Sequence, residues 1–266
     1  MMVFEGNLKK MRTDLDKEVH YFLDLNGQEI YMNDVLGKAL KIEFKNQINC
    51  IKCGRKTKTS FAQGYCYPCF ISAPETEECV LRPELCRAHE GIARDMNYAK
   101  EQCLIDHFVY MALTSGIKVG ITRYHQIPTR WIDQGAWKII KVALTPNRYI
   151  AGTIEMAMKE FFADKTNWRH MLTNKRLGGV DLVEEKDRAI EKLHADFQKY
   201  ACNDDEISEI NYPVKKYPEK VKSLNFHKTP VIEDVLVGIK GQYLIFDSGA
   251  VVNIRKHSGY LVKVSF

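Results

Sequence analysis

Cys50, Cys53, Cys66 and Cys69 stand in the pattern C-x2-C-x12-C-x2-C, with Gly54 and Gly64 beside the two pairs. A chain brings four thiols to one point only by folding two tight turns toward each other, and four thiolates at about 2.3 Å complete the tetrahedron that zinc prefers. The spacing therefore predicts a zinc ribbon or knuckle. Its Zn2+ is structural, because no position is left for water or substrate. Buried free thiols would be scattered along strands, and a redox Cys-x-x-Cys would occur once rather than twice in so short a stretch. Cys79, Cys86 and His89 follow and form a candidate second zinc site, with small half-buried side chains as the plainer alternative. Cys103 and Cys202 read as lone residues.

The reading of metal over disulfides rests on compartment. The first residues, MMVFEGNLKKMRTDLDKEV, contain no apolar run and no small-residue cleavage site, and no later window approaches the roughly 18 uncharged apolar residues of a membrane span. The expectation is a cytoplasmic protein without a membrane partner, where thiols stay reduced.

The 266 residues suffice for one large or several small cores. Residues 1–48 carry YFLDL, EIYMN and KALKIEF between Asn-Gly, Asn-Asp and Leu-Gly turns, an N-terminal β segment. Residues 49–95 form the cysteine segment. From 96 to 200 the pattern changes to a helix near 97–105, a strand hairpin over 108–113 and 117–122, a short helix opened by Pro128, a strand over 137–144, and a helix in which Ile150, Ile154, Met158 and Phe161 recur at helical spacing. A further amphipathic helix is expected over 180–200. Residues 201–266 return to short apolar strands broken by glycines, a small β domain that needs the N-terminal strands to complete its core. The fold class expected is α+β: an α/β module joined to a zinc ribbon and to terminal antiparallel strands.

Charge singles out the module. Residues 116–176 hold 11 Lys or Arg against 4 Asp or Glu, a local +7 in a chain of net charge +5. Such a stretch suits a polyanion, with a solvated positive surface as the bland reading. In the module of residues 96–200, Tyr110 projects from the first strand, Lys118 from the second, Arg130 from the short helix and Glu155 from the long one. Hydrolysing a phosphodiester requires a base beside the attacking water, a cation for the developing charge, and usually a metal held by a carboxylate. Ala151, Glu155 and Lys159 share one helix face, which leaves room for an ion at Glu155. The plain alternatives are a packed tyrosine, a solvent arginine and an exposed carboxylate.

Phe108-Val109-Tyr110, Lys118-Val119-Gly120, Arg130-Trp131, Glu155 and Asn167 resemble the signature of the GIY-YIG nuclease superfamily. The resemblance implies that Tyr110 orients water, Arg130 contacts the scissile phosphate and Glu155 binds Mg2+ or Mn2+, with Lys118 and Asn167 completing the centre. Two positions depart from that pattern. Lys118 replaces the second tyrosine, and Gln134 stands where some members have histidine. A lysine ammonium is a poor base but a good phosphate contact. More widely, GYCYPC at 64–69, RPELC at 82–86, KVGITR at 118–123, IPTRWIDQGA at 127–136, DKTNWRHML at 164–172 and GIKGQYLIFD at 238–247 resemble the uncharacterised bacterial domain-of-unknown-function family 2797, which implies no activity and a cysteine near the position of Ala93.

The leading expectation is a zinc-containing protein that interacts with DNA or RNA through a nuclease-like, metal-dependent phosphodiesterase centre. A non-catalytic nucleic-acid-binding or protein-interaction module is the first alternative, and an enzyme of a small phosphorylated or nucleotide substrate the second. A convergent pocket around Tyr110, Arg130 and Glu155 favours an enzyme, whereas a broad basic groove with exposed Trp131, Trp137 or Trp168 and no pocket favours a binder.

Overall fold

Alternation of apolar and polar side chains builds the sheets. In Val19–Leu25 the buried residues are Val19, Tyr21, Leu23 and Leu25, at the period of two that one covered face demands. The computed structural model describes residues 2–162 and 167–266, so Asp164, Lys165 and Thr166 of the sequence phrase 164–172 lie outside the described residues. The chain divides into two compact units, one of residues 1–71, 172–174 and 211–266, the other of 72–171 and 175–210.

The first unit is built on the strand Ala39–Asn49, flanked by Tyr260–Ser265 and by Val231–Lys240, both antiparallel to it. Val3–Asn7 pairs outside Tyr260–Ser265. On the other side Tyr243–Phe246 and Ala250–Asn253 extend the sheet, and Lys222–Ser223 joins it in parallel. The N-terminal and C-terminal strands thus interleave within one sheet, as the small core of each piece requires. A separate three-stranded sheet comprises Arg12–Leu15, Val19–Leu25 and Gln28–Tyr31. Below the long strand the chain reverses at the first cysteine pair, and Lys56–Thr57 returns to pair with Ile48 and Asn49.

The second unit holds a four-stranded antiparallel sheet in the order Ile207–Glu209, Lys138–Thr145, His107–Leu113, Ile117–Arg123. The expected hairpin is present, with Tyr110 opposite Gly120 and Ala112 opposite Lys118. Val109, Met111, Leu113 and Val119 cover one face and pack with Ala151, Ile154 and Met158 of the helix Arg148–Met158 and with Leu182 and Ala189 of Leu182–Lys192. Asn147 starts the first of these helices, its Oδ1 accepting the Ile150 N–H at 3.0 Å. The single helix expected over 180–200 is broken at Leu193–His194, beyond which Ala195–Gln198 forms its own turn.

Residues 72–95 contain four one-turn 3-10 helices and no strand. This segment lies directly on the helix Arg148–Met158 at Gly152, where an added Cβ would meet the backbone of Pro83 and Glu84. Gly152→Ala is therefore expected to lower stability by about 1–3 kcal/mol, the cost of overpacking a closed contact. Urea unfolding measures it; an unchanged midpoint would mean that the 83–84 backbone yields without cost.

Candidate functional site

Two clusters of thiols and one buried carboxylate stand out. Cys50 follows the long strand, and its carbonyl accepts the Gly54 N–H at 2.8 Å, closing the first tight turn. Gly54 and Gly64 both take positive φ, at 73° and 136°, which glycine adopts without steric cost. The Ile51 N–H reaches the Gly64 carbonyl at 2.9 Å and ties the two turns together, while Cys66 leads into the helix Tyr67–Ser72.

The four sulfurs lie within 4.8 Å of one another, and Cys53 Sγ is 3.7 Å from Cys66 Sγ. That separation is far from a disulfide bond and matches the roughly 3.8 Å edge of a tetrahedron with 2.3 Å zinc–sulfur bonds. Burial opposes ionisation of Cys50, but the backbone N–H groups of Cys66, Cys53 and Lys52 outweigh it and bring the thiol down to about 6. Cys69 is pushed up to about 12, by desolvation and by the thiols of Cys53, Cys66 and Cys50. Without a cation the four cannot all be thiolates; with Zn2+ they can. The donor set fits zinc, and its chemistry there is to cross-link two turns.

The second cluster differs from the sequence expectation. Cys79, Cys86 and Cys103 bring their sulfurs within 4.8 Å of one another, and all three are buried. His89 is not part of this group; its ring stacks on Tyr149 with centroids 4.4 Å apart, and Nε2 lies 3.7 Å from Glu90 Oε1. Cys103, read from sequence as a lone residue, takes that place. Its signal was Ala99 and Cys103 on one face of the turn after Asp95, a pattern no metal motif records. Thiol hydrogen bonds from Cys103 and Cys79 lower the pKa of Cys86, while those with Cys103 and Cys86 drive Cys79 upward. Cys202 stands apart from both clusters, its N–H on the Val142 carbonyl at 2.8 Å.

Tyr110 sits at a bulge. Between Val109 and Tyr110 the pairing with Lys138–Thr145 slips by one residue, so that Val109 faces Ala143 but Tyr110 faces Lys141; such irregularities re-aim a side chain. The phenol lies across Gly120, where a Cβ would come within 2.7 Å of Oη, and donates to Gln134 Oε1 at 2.9 Å. It is fully buried, edge-on to Trp131 at 6.0 Å. Burial raises its pKa.

Glu155 is only 8% exposed, and desolvation raises its pKa against the opposing pull of Lys159, Lys118 and Arg130. Lys159 Nζ is 3.5 Å from Glu155 Oε2. An ammonium, rather than a divalent ion, is thus the cation placed against this carboxylate. Tyr110 feels both Arg130 and Glu155, so the structure draws Tyr110, Lys118, Arg130 and Glu155 into one electrostatic neighbourhood, with Lys159 and Gln134 added. Asn167 instead shapes a local turn. Its Oδ1 accepts the N–H groups of Arg169 and His170 at 3.1 and 3.2 Å, and its own N–H donates to Ser115 Oγ at 3.2 Å.

The basic stretch is partly neutralised. Lys138 pairs with Glu209 at 3.0 Å, and Lys141 with Asp204 at 3.2 Å and Glu206 at 3.5 Å. Trp131 is buried rather than exposed, and Trp137 is half-covered by the Arg176 guanidinium at 4.6 Å. No helix among the described residues is long and apolar enough to cross a membrane.

A family model described as "Protein of unknown function (DUF2797)" matches residues 37–262, a span that takes in both thiol clusters and the Glu155 centre. No curated protein and no solved structure matches the chain.

Cys50→Ser is expected to release the metal of the first cluster and to unfold the turns around it, read as loss of about one zinc per chain by elemental analysis. Zinc-free wild-type protein with all thiols reduced would sink that assignment. Gly120→Ala is expected to displace the Tyr110 phenol and destabilise by about 1–3 kcal/mol; chemical denaturation beside Tyr110→Phe, which removes the hydroxyl's hydrogen bonding to Gln134 and Arg130 at a cost of about 1 kcal/mol per bond, separates steric from hydrogen-bond effects.

Proposed function

The chain belongs to the DUF2797 family, and we propose that its Glu155 centre grips the phosphodiester backbone of DNA or RNA, in a protein whose first thiol cluster is held by structural zinc. The observation that carries this reading is the charge arrangement: Lys118, Arg130 and Lys159 all act on one buried carboxylate. Cations that converge on one buried carboxylate favour an added phosphate and disfavour a free divalent cation beside it. Lys118 in place of a tyrosine adds a phosphate contact to a position where the nuclease pattern would have a phenol.

A phosphodiesterase is the second reading, favoured by the closeness of Tyr110 and Glu155 and by the resemblance of the surrounding motifs to nucleases. It requires Glu155 ionised and holding Mg2+ or Mn2+, Arg130 on the transferring phosphate, and Tyr110 beside the attacking water. The fully buried phenol, committed to Gln134, supports binding over proton transfer. An enzyme of small phosphorylated compounds stays a further alternative that competition by mononucleotides tests.

Binding to short single-stranded and duplex DNA and RNA is expected to be saturable and to weaken steeply between about 50 and 200 mM salt. Arg130→Ala is expected to weaken it and lower the salt slope by about one. Because burial holds the Glu155 pKa up, protonation adds a positive charge within reach of pH: affinity rises as pH falls through that raised value, and Glu155→Gln binds more tightly at neutral pH and loses this pH dependence. The phosphodiesterase reading expects metal-dependent cleavage by wild type that Glu155→Gln abolishes. No saturable binding to any nucleic acid, with correctly folded protein, would remove both.

A further inference from the structure

We infer that Cys79, Cys86 and Cys103 hold a second metal ion, a single soft, thiophilic cation bound by three thiolates. The three sulfurs come from three separate local structures: the one-turn helix Glu78–Val80, the residue closing Pro83–Leu85, and the end of the helix Met96–Gln102. They converge within 4.8 Å. A mononuclear ion at about 2.3 Å sets its sulfur ligands roughly 4 Å apart, so the thiols are already gathered at the right scale. Soft sulfur donors select Zn2+ or Cu+ over Mg2+ or Ca2+.

The surrounding core is too small to gather them. Among the described residues the buried apolar cluster of this segment is Cys79, Cys86, Ala88, Ala99 and Cys103, with Ala93, Met96 and Leu104 packed against it, and Pro83 is buried nearby. Small side chains of this kind bury little apolar surface, and segments of such poverty are held by disulfides or metal. The cysteines are free thiols. Metal is the remaining staple.

Charge completes the case. Three thiolates and a divalent ion carry a net negative charge, which a buried site tolerates only beside a cation. Arg148 is that cation. Its guanidinium, 8% exposed, donates to the Cys79 carbonyl at 3.2 Å and the Gln102 carbonyl at 3.1 Å, while its backbone N–H donates to the Cys103 carbonyl at 2.8 Å. Arg148 Nε, buried, has no hydrogen-bond partner among the described residues. Arg148 is also the first residue of the helix bearing Glu155, and the 83–84 backbone rests on that helix at Gly152. A filled site therefore braces the start of the helix that carries the buried carboxylate.

The test counts metal and does not depend on nucleic-acid binding. Full-length protein is purified anaerobically, stripped, and reloaded with Zn2+ alone or Cu+ alone, and bound metal is measured by native mass spectrometry. Two equivalents per chain are expected with at least one of the ions, and the ion that fills the second place identifies the cargo. The double variant C50S/C53S keeps one equivalent, C79S/C103S keeps one, and His89→Ala keeps both. In wild-type protein, Cys86 and Cys103 resist alkylation when loaded and react after chelation, a readout that needs no variant to fold. One equivalent with either ion, a count unchanged in C79S/C103S, loss of an equivalent in His89→Ala, or alkylation indifferent to loading would each overturn the site.

Discussion

Sulfur does what apolar surface cannot in the stretch from Cys50 to Cys103. Around the first cluster the chain forms turns, a two-residue strand and a six-residue helix, elements too short to be stable by propensity. Backbone amides of Lys52, Cys53 and Cys66 point at Cys50, so the peptide framework is arranged for a negative sulfur before any ion is considered. That arrangement has a cost when the cluster is empty: desolvation, the neighbouring thiols and the charge of Cys50 together hold Cys69 protonated. A cation removes the conflict and converts repulsion among thiolates into the force that closes the two turns.

A related conflict shapes the second unit. Burying Glu155 on the helix Arg148–Met158 penalises its charge, and the groups that oppose this are ammonium and guanidinium cations. These cations are drawn from a strand, a short helix and the next helical turn. The same logic explains why Lys138 and Lys141 contribute less than their number suggests: the strand Ile207–Glu209 and the residues before it set Glu209, Glu206 and Asp204 against them. Positive charge is thereby reduced at one edge of the sheet and kept near Tyr110.

What could be read from sequence was what local spacing determines. Cys50, Cys53, Cys66 and Cys69 were legible because tight turns translate spacing directly into position. The hairpin and the helix at Arg148–Met158 were legible because a period of two or of three to four fixes which face is covered. The pairing of Val3–Asn7 with Tyr260–Ser265 was not, since its partners are separated by most of the chain and no local rule selects them. Cys103 escaped for the same reason: its neighbours Cys79 and Cys86 reach it through irregular backbone whose direction no periodicity reports. At Glu155 the sequence supplied the helix face correctly, but whether Lys159 would lie on the carboxylate or point to solvent was decided by burial.

Tyr110 shows how these levels join. The slip in register at Val109 turns its side chain, Gly120 on the neighbouring strand leaves the space to receive it, and Gln134 Oε1 accepts a hydrogen bond from its hydroxyl. Each part depends on the others, because a side chain at position 120 would close the space and an unpartnered phenol would be costly to bury. A tyrosine held in this way is a rigid wall rather than a mobile base, and in the proposed phosphate-gripping role such a wall excludes water, lowers the local dielectric response and strengthens the pull of Arg130.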